Sequence, residues 1–312
     1  MITLEDISFP TPSSSLSPES IKAYKEIGFV CLNEYLCKEE TETLLQRART
    51  LEREHHHEKK KKNIDRDDEK NVFTTGDKKQ ALSCSDEYFL NSAGNVSFFY
   101  EEEPNDNKEE YQPSLNKIGH ALHDLDAPFM EFSRSEKLKR FLEQLGLLRP
   151  IPVQSMVIFK NAHRGGEVVP HQDDTFLRTG PEKSTIGVWI ALEKCTIENG
   201  CLRALPRSHF NGTKKRMFVD HEAKERKVQF SNDGREGSEE VEYKVEDFVP
   251  LTVDAGTLVF LHGENCHWSL ANTSDTSRVA YSVHYVEGGK DSCVWLKDNW
   301  LQRPETFPFK CL

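Results

Sequence analysis

The chain has no Cys-x-x-Cys pair, no apolar run long enough to span a bilayer and no excess of basic side chains. Each absence excludes something. The eight cysteines lie scattered at positions 31, 37, 84, 195, 201, 266, 293 and 311. That pattern is expected of reduced thiols in a cytosolic protein, not of a disulfide framework or a structural zinc site. The longest apolar stretches, such as GVWIAL and TLVFL, fall far short of the ~20 residues of a membrane helix. A balance of 41 basic against 52 acidic residues leaves a net charge of −11, which argues against nucleic acid or an anionic membrane as partner. A local basic pocket for an anionic small molecule stays open. The start, MITLEDISFP, has neither a basic n-region nor an apolar h-region, so no signal or transit peptide is expected. The end, Lys-Cys-Leu, is neither Ser-Lys-Leu nor a prenylation box. The expectation is a soluble cytoplasmic protein whose 312 residues can bury a sizeable core.

What is present divides near residue 150. Ser17-Pro18-Glu19 reads as a capped helix start, leading to a short helix that stops at Gly28 and a strand-like FVCL. Lys38 to Arg53 has helical spacing through Leu44, Leu45 and Leu51. Residues 54–70, EHHHEKKKKNIDRDDEK, have almost no apolar side chain and read as a solvated loop; the His55–His57 tract is taken as exposed polar sequence. NVSFFY (95–100) has strand character. SLNKIGHALHDL (114–125) reads as a helix with Ile118, Leu122 and Leu125 on one side, and Glu136–Gly146 as another. From residue 151 short β-rich runs alternate with turns: VQSMVIF, EVVPHQD, STIGVWIAL, GCLRALP, FVPLTV, GTLVFL and RVAYSVHYV. This spacing predicts an antiparallel sandwich or barrel. A charged stretch at 220–247 interrupts it as a surface insert. One domain over 1–312 is expected: a mostly helical part (18–150), a β core (151–290) and a tail (291–312).

Within the β part, PHQDDTF (170–176) places a histidine before two carboxylates. If Val168–Asp173 is a strand, side chains two apart share a face, so His171 and Asp173 converge and Asp174 does not. A third ligand is needed, and the stretch 254–269 offers His262 and His267; the residues alone leave that choice open. Two imidazoles and one carboxylate on one face of a metal leave adjacent positions for a bidentate ligand and dioxygen, as in non-haem Fe(II) sites. Arg278, eleven residues past His267, could hold the distal carboxylate of 2-oxoglutarate in a bidentate pair. Ser269, two past His267, could add a hydroxyl donor.

These segments resemble the phytanoyl-CoA dioxygenase (PhyH) family of Fe(II)/2-oxoglutarate oxygenases. The resemblance rests on HQD, on ENGCL with PRSH, and on HWSLANTSDTSRVAYSVHY; NKIGHALH, VQSMVIFK, GGEVVPHQD, HGENCH and DNWLQRPETFPF carry it further, over roughly 18–309. It implies a double-stranded β-helix (jelly-roll, cupin-like) core, mainly β, covered by N-terminal helices. It implies His171, Asp173 and His267 as the catalytic metal ligands, settling His267 over His262. It also implies 2-oxoglutarate contacts at Lys117, Met156, Trp189, Ser269 and Arg278, with Lys117 reaching in from a helix. The implied cofactors are Fe(II), 2-oxoglutarate and O2, with ascorbate as a reductant. The implied reaction couples decarboxylation of 2-oxoglutarate to succinate and CO2 with hydroxylation of a small molecule, lipid-derived or acyl-CoA-like. With no peroxisomal tripeptide and no evident basic clamp for a CoA phosphate, that molecule need not be phytanoyl-CoA.

Plainer readings accompany each residue. His262 reads as a core or supporting histidine, and His209 as one that orders a loop. Arg207 stands where the commoner family form has glycine. His120 and His123 read as surface or packing residues, Cys266 as a bystander, and Asp174 as a neighbour of the metal or a solvent-facing group. Two rival functions use the same residues: a zinc hydrolase with an open water position, against which Arg278 and Ser269 argue, and a binding protein without chemistry.

Overall fold

The computed structural model describes residues 2–61, 71–74, 77–102, 114–232 and 243–312. Two sheets dominate. The larger has eight strands: β1 (Ser8–Pro10), β2 (Phe29–Asn33), β3 (Val96–Tyr100), β4 (Leu115–His120), β5 (Pro150–Lys160), β8 (Ile186–Ala191), β13 (Leu258–His262) and β15 (Arg278–Glu287), in the order β1-β2-β13-β8-β15-β5-β4-β3. The smaller has β6 (Val168–His171), β9 (Leu202–Ala204), β12 (Val249–Pro250) and β14 (His267–Ser269), ordered β12-β9-β14-β6. Two ribbons lie beside them: β7 (Thr179–Pro181) with β16 (Cys293–Trp295), and β10 (Lys215–Val219) with β11 (Val228–Asn232). Apart from the parallel β1–β2 pair, the ladders between these strands are antiparallel. The fold is a double-stranded β-helix flanked by helices.

Period-two patterning assigns the faces of the large sheet. On β15, Val279, Tyr281, Val283 and Tyr285 join the core shared with the helices. Arg278, Ser282 and His284 alternate with them and face the cavity between the sheets. β8 divides in the same way: Ile186, Val188 and Ile190 pack toward the helices, while Gly187 and Trp189 look the other way. A second core, with Trp189, Ala191, Leu202, Ala204, Val259 and Leu261, fills one end of the space between sheets. Full burial of Phe159 or Phe260 contributes roughly 1.5–3 kcal/mol each.

Helices α1 (Pro18–Ile27), α2 (Lys38–Lys61), α3 (Asp77–Cys84), α4 (Glu87–Leu90), α5 (Leu122–Leu125), α6 (Ala127–Ser133) and α7 (Glu136–Gln144) complete the chain. Ser17 caps α1 by accepting the Ser20 N–H at 3.1 Å, and Gly28 ends it in the left-handed region (φ 97°). There the missing Cβ lets His209 pack close. α7 buries Leu138, Phe141 and Leu142. The Tyr285 hydroxyl donates to the Ser133 carbonyl at 2.6 Å, tying α6 to the sheet. No helix among the described residues is long and apolar enough to cross a membrane.

Three expectations are corrected. Residues 115–120 form strand β4, not a helix, and helix begins only at Leu122. β4 is buried on both faces, so it has no polar side whose period would reveal it. The N-terminal part also supplies strands, since β2, β3 and β4 all join the large sheet. α2 continues through EHHHEKKK to Lys61: glutamate and lysine are strong helix formers, and His55 stacks on Phe98 with ring centres 3.8 Å apart. The loop expected at 54–70 thus begins no earlier than 62, and its remainder lies outside the described residues. The insert at 220–247 is not purely a surface excursion, since Val228 in β11 is buried against Met217 and Val219 of β10; residues 233–242 lie outside the described residues.

Candidate active site

The two histidines of the proposed triad meet across the small sheet. β14 pairs with β6 so that His267 lies opposite His171, and the rings are 4.3 Å apart between centres. β6 ends at His171, so Asp173 does not share a strand with it; Asp173 opens a 3-10 turn, and its carboxylate nevertheless reaches the same point. One ligand atom from each of His171, Asp173 and His267 lies within 4.8 Å of the others. His171 Nδ1 donates to the Val169 carbonyl at 2.8 Å, and His267 Nδ1 to the Asn265 carbonyl at 3.0 Å. A carbonyl only accepts, so each Nδ1 carries the proton and each Nε2 keeps its lone pair. Asp173 Oδ1 lies 3.7 Å from His267 Nε2, while Oδ2 is buried with no hydrogen-bond partner. Two imidazole lone pairs and an orphaned carboxylate oxygen fit a divalent cation.

Burial alone would raise the Asp173 pKa, but His284 and His267 outweigh it and hold the carboxyl below its usual range. Burial, then His267 alongside, pushes His171 down to about 4. Both groups are therefore in their metal-binding forms at neutral pH.

All eight residues singled out in the sequence, Lys117, Met156, His171, Asp173, Trp189, His267, Ser269 and Arg278, line one cavity of about 160 Å³. Arg278 is buried on β15. Its Nη2 donates to the Gly200 carbonyl at 3.1 Å, while Nε and Nη1 have no partner. The guanidinium carbon stands 5.7 Å from the Trp189 ring centre. Beside it, Lys160 donates to the carbonyls of Leu270, at 2.8 Å, and Gly166.

The sequence profile of the phytanoyl-CoA dioxygenase (PhyH) family matches residues 24–280. The chain belongs to the phytanoyl-CoA dioxygenase family. A phytanoyl-CoA dioxygenase of Arabidopsis thaliana is 37% identical over 295 residues, covering 93% of this chain and 95% of the relative. The phytanoyl-CoA dioxygenase domain-containing protein 1 of Mus musculus is 38% identical over 301 residues, 94% of this chain and 97% of the relative. Among solved structures, iron-bound EctD from S. alaskensis has a TM-score of 0.59 at 16% identity, covering 95% of this chain and 85% of that one. The epimerase SnoN in complex with Fe3+, alpha-ketoglutarate and nogalamycin RO has a TM-score of 0.55 at 14% identity, covering 93% and 96%. These two share the fold. Family membership makes this protein an enzyme, a 2-oxoglutarate-dependent non-haem iron dioxygenase.

The family member keeps further groups at the site that sequence reasoning passed over. His284 Nε2 lies 3.3 Å from Asp173 Oδ1, placed to hold that oxygen in position. Ser282 Oγ is buried without a partner. Alternation along RVAYSVHY was the available signal, since Arg278, Ser282 and His284 share the face opposite Val279, Tyr281, Val283 and Tyr285. Gly187 matters through what it lacks: a Cβ there would lie 2.8 Å from Asp173 Oδ2.

Other residues separate from the site. His262 lies outside the cavity wall, its ring 5.0 Å from His209 and 6.0 Å from Tyr24, with Nδ1 accepting the Glu264 N–H. His209 binds the Lys25 carbonyl at 3.0 Å and so fixes the loop onto α1. Arg207 takes a left-handed φ of 65°, the conformation that suits the glycine of the commoner family form. Asp174 does not face solvent; it is buried, and burial pushes its pKa up to about 7. His120 and His123 are fully buried packing residues, not surface ones. Lys117 projects from strand β4, not from a helix.

Proposed function

We propose that His171, Asp173 and His267 hold Fe(II), and that Arg278 with Ser269 anchors the distal carboxylate of 2-oxoglutarate. Trp189 and Met156 wall the keto acid, and dioxygen is the oxidant. The reaction is 2-oxoglutarate + O2 + R–H giving succinate, CO2 and R–OH, where R–H is a small molecule that need not be phytanoyl-CoA. Ascorbate serves as an auxiliary reductant. The observation that carries this reading is a pair of unmet demands in one cavity: a buried aspartate with an unpartnered oxygen grouped with two imidazole lone pairs, and a buried guanidinium with two idle nitrogens.

Bound at the triad, Fe(II) supplies the redox chemistry by which dioxygen oxidises both the keto acid and the substrate C–H. The protein supplies position and environment. Val169 and Asn265 fix the imidazole tautomers through their carbonyls, and His284 supports Asp173 from behind; such outer contacts typically tune metal affinity about 10–100-fold. Arg278 presents a planar fork to a carboxylate, and a dry cavity strengthens that pairing. Apolar walls at Met156, Trp189 and Leu261 keep bulk water from the oxidising centre.

The test is anaerobic addition of Fe(II) and 2-oxoglutarate, followed by air. A visible charge-transfer band and then succinate are expected. Absence of both from the wild type overturns the reading, and unchanged succinate formation in His171→Ala overturns the ligand assignment.

A further inference from the structure

Strand register lays out the floor of the cavity in rows. Arg278 stands in the first. In the second, Ala280 of β15 lies opposite Ile158 of β5, which lies opposite Lys117 of β4. In the third, Ser282 is flanked by Met156 on β5 and Trp189 on β8. These three rows hold every residue of the large sheet expected at the co-substrate. A fourth row follows, in which His284 lies opposite Gln154 on β5 and Gly187 on β8. Gln154 and His284 both line the cavity, at 7% and 6% exposure. The Gln154 carboxamide has no hydrogen-bond partner among the described residues.

His284 turns Nε2 to Asp173 Oδ1 at 3.3 Å, while its Nδ1 is buried without a partner. A carboxylate only accepts, so the neutral ring carries its proton on Nε2 and leaves a lone pair on Nδ1. Cross-strand partners stand about 4.5–5.5 Å apart at Cβ, so one small polar group can meet both side chains. It has to donate to Nδ1 and accept from the Gln154 amide nitrogen. A hydroxyl does both. The 2-oxoglutarate dianion has no hydrogen to give Nδ1, which separates this pair from the co-substrate subsite. A thioester carbonyl likewise only accepts. Around the pair the walls are apolar: Leu177, Met217 and Trp300 line the cavity and pack with Val153 and Val286. The cations among the described lining residues are Lys117 and Arg278, both in earlier rows, so the fourth row has no lysine or arginine to offset a buried anion.

We infer that Gln154 and His284 form the prime-substrate subsite by binding a hydroxyl group, and that this substrate is an uncharged, apolar alcohol. The inference rests on the oxygenase reading above and specifies its substrate. The hydroxyl meets two buried polar groups left open by the fold, and the apolar walls take the rest of the molecule.

The experiment uses the Mn(II)–2-oxoglutarate complex of the full chain, in which a bound substrate is not turned over. Three probes are titrated by calorimetry into the wild type and Gln154→Leu: 4-phenylbutan-1-ol, its isomer 3-phenylpropyl methyl ether, which has no O–H, and 4-phenylbutanoate. Expected in the wild type is at least about a fivefold preference for the alcohol over the ether and the acid, the scale of leaving one buried acceptor unmet. In Q154L the alcohol should bind at least about threefold more weakly, the scale of one neutral hydrogen bond, with 2-oxoglutarate affinity unchanged. Equal binding of alcohol and ether in the wild type, or binding of neither, overturns the inference without recourse to any variant. So does tighter binding of the acid than of the alcohol, or alcohol affinity unchanged in Q154L. Weakened 2-oxoglutarate binding in Q154L assigns Gln154 to the co-substrate and overturns it too. Failure of the parent reading is separate: wild type with Fe(II) and 2-oxoglutarate alone would then give neither the charge-transfer band nor succinate.

Discussion

Replacing Arg278 by methionine should cost the enzyme its co-substrate without costing the protein its stability. Arg278 is 2% exposed, and only Nη2 is bonded, to Gly200. Nε and Nη1 are unbonded, and either one with the second Nη2 proton forms a fork for a carboxylate. Two charge-assisted hydrogen bonds at roughly 1.5–3 kcal/mol each come to about 3–6 kcal/mol. That predicts a Kd for 2-oxoglutarate raised by roughly 10²–10⁴-fold. In the empty protein the same guanidinium is a buried charge with one hydrogen bond, beside a second buried cation, Lys160, whose pKa is pushed down to about 7 by burial and then by Arg278. Methionine of similar length removes that burden, so the melting temperature of the ligand-free protein should stay level or rise. Arg278→Lys should fall between in affinity, keeping the charge and losing the fork. Anaerobic 2-oxoglutarate titration of the Fe(II) enzyme reads the first effect and thermal melting the second. An unchanged Kd would remove Arg278 from the anchor role. A fall in melting temperature of more than a few degrees would show that its contacts hold the fold.

Other outcomes follow from the same structure. Gly187→Ala places a methyl against Asp173 Oδ2 and should displace that ligand; metal analysis after Fe(II) loading should show lowered occupancy while the far-ultraviolet spectrum is kept. His284→Ala removes the group 3.3 Å from Asp173 Oδ1 and should weaken Fe(II) about 10–100-fold; an unchanged metal Kd would make it a bystander. Burial holds His55, His171 and His262 at about 4, whereas in the unfolded chain they titrate near ~6.5. Between those values the unfolded chain binds the extra protons, so the stability of metal-free protein should fall as pH drops from about 6.5 toward 4; melting temperatures level across that window would refute the assignment. Arg303 binds Asp124 Oδ2 at 2.5 Å, His123 Nε2 at 3.1 Å and the Ala93 carbonyl at 3.1 Å. Arg303→Ala leaves Asp124 with Arg134 and His123 as partners and should cost about 1.5–3 kcal/mol, read by urea unfolding; a loss under about 0.5 kcal/mol would mean the tail docks through its aromatic side chains alone.

The degree to which sequence and structure agree varies with how local each signal is. Strands with one face on the helices and the other on the cavity, such as β8 and β15, announce themselves by alternation. β4 does not, because both faces are buried, and Ile118, Leu122 and Leu125 then imitate a helical stripe. Alternation chose Asp173 over Asp174 on the premise of one continuous strand. The strand stops at His171, and the 3-10 turn delivers the same carboxylate by a different backbone path. His284 carried a periodic signal that went unused, six residues past Arg278 on the same face of β15.

Composition, a local cap at Ser17 and the paired polar positions of HQD and HWS are properties of short stretches, and the sequence by itself determined them: a β-rich core, a histidine and a carboxylate proposed as metal ligands, and an arginine proposed to anchor a dicarboxylate. What only the tertiary structure decided is who meets whom. His171 and His267 are neighbours because β6 and β14 pair in one register. Lys117 lies among Phe73, Phe89 and Phe99 because residues 71–74, α4 and β3 pack around β4. Trp300 reaches the cavity because Arg303 pins the tail to Asp124. Such contacts join residues tens to hundreds of positions apart, and their energy depends on burial and unmet hydrogen bonds, which exist only once the chain has closed around them.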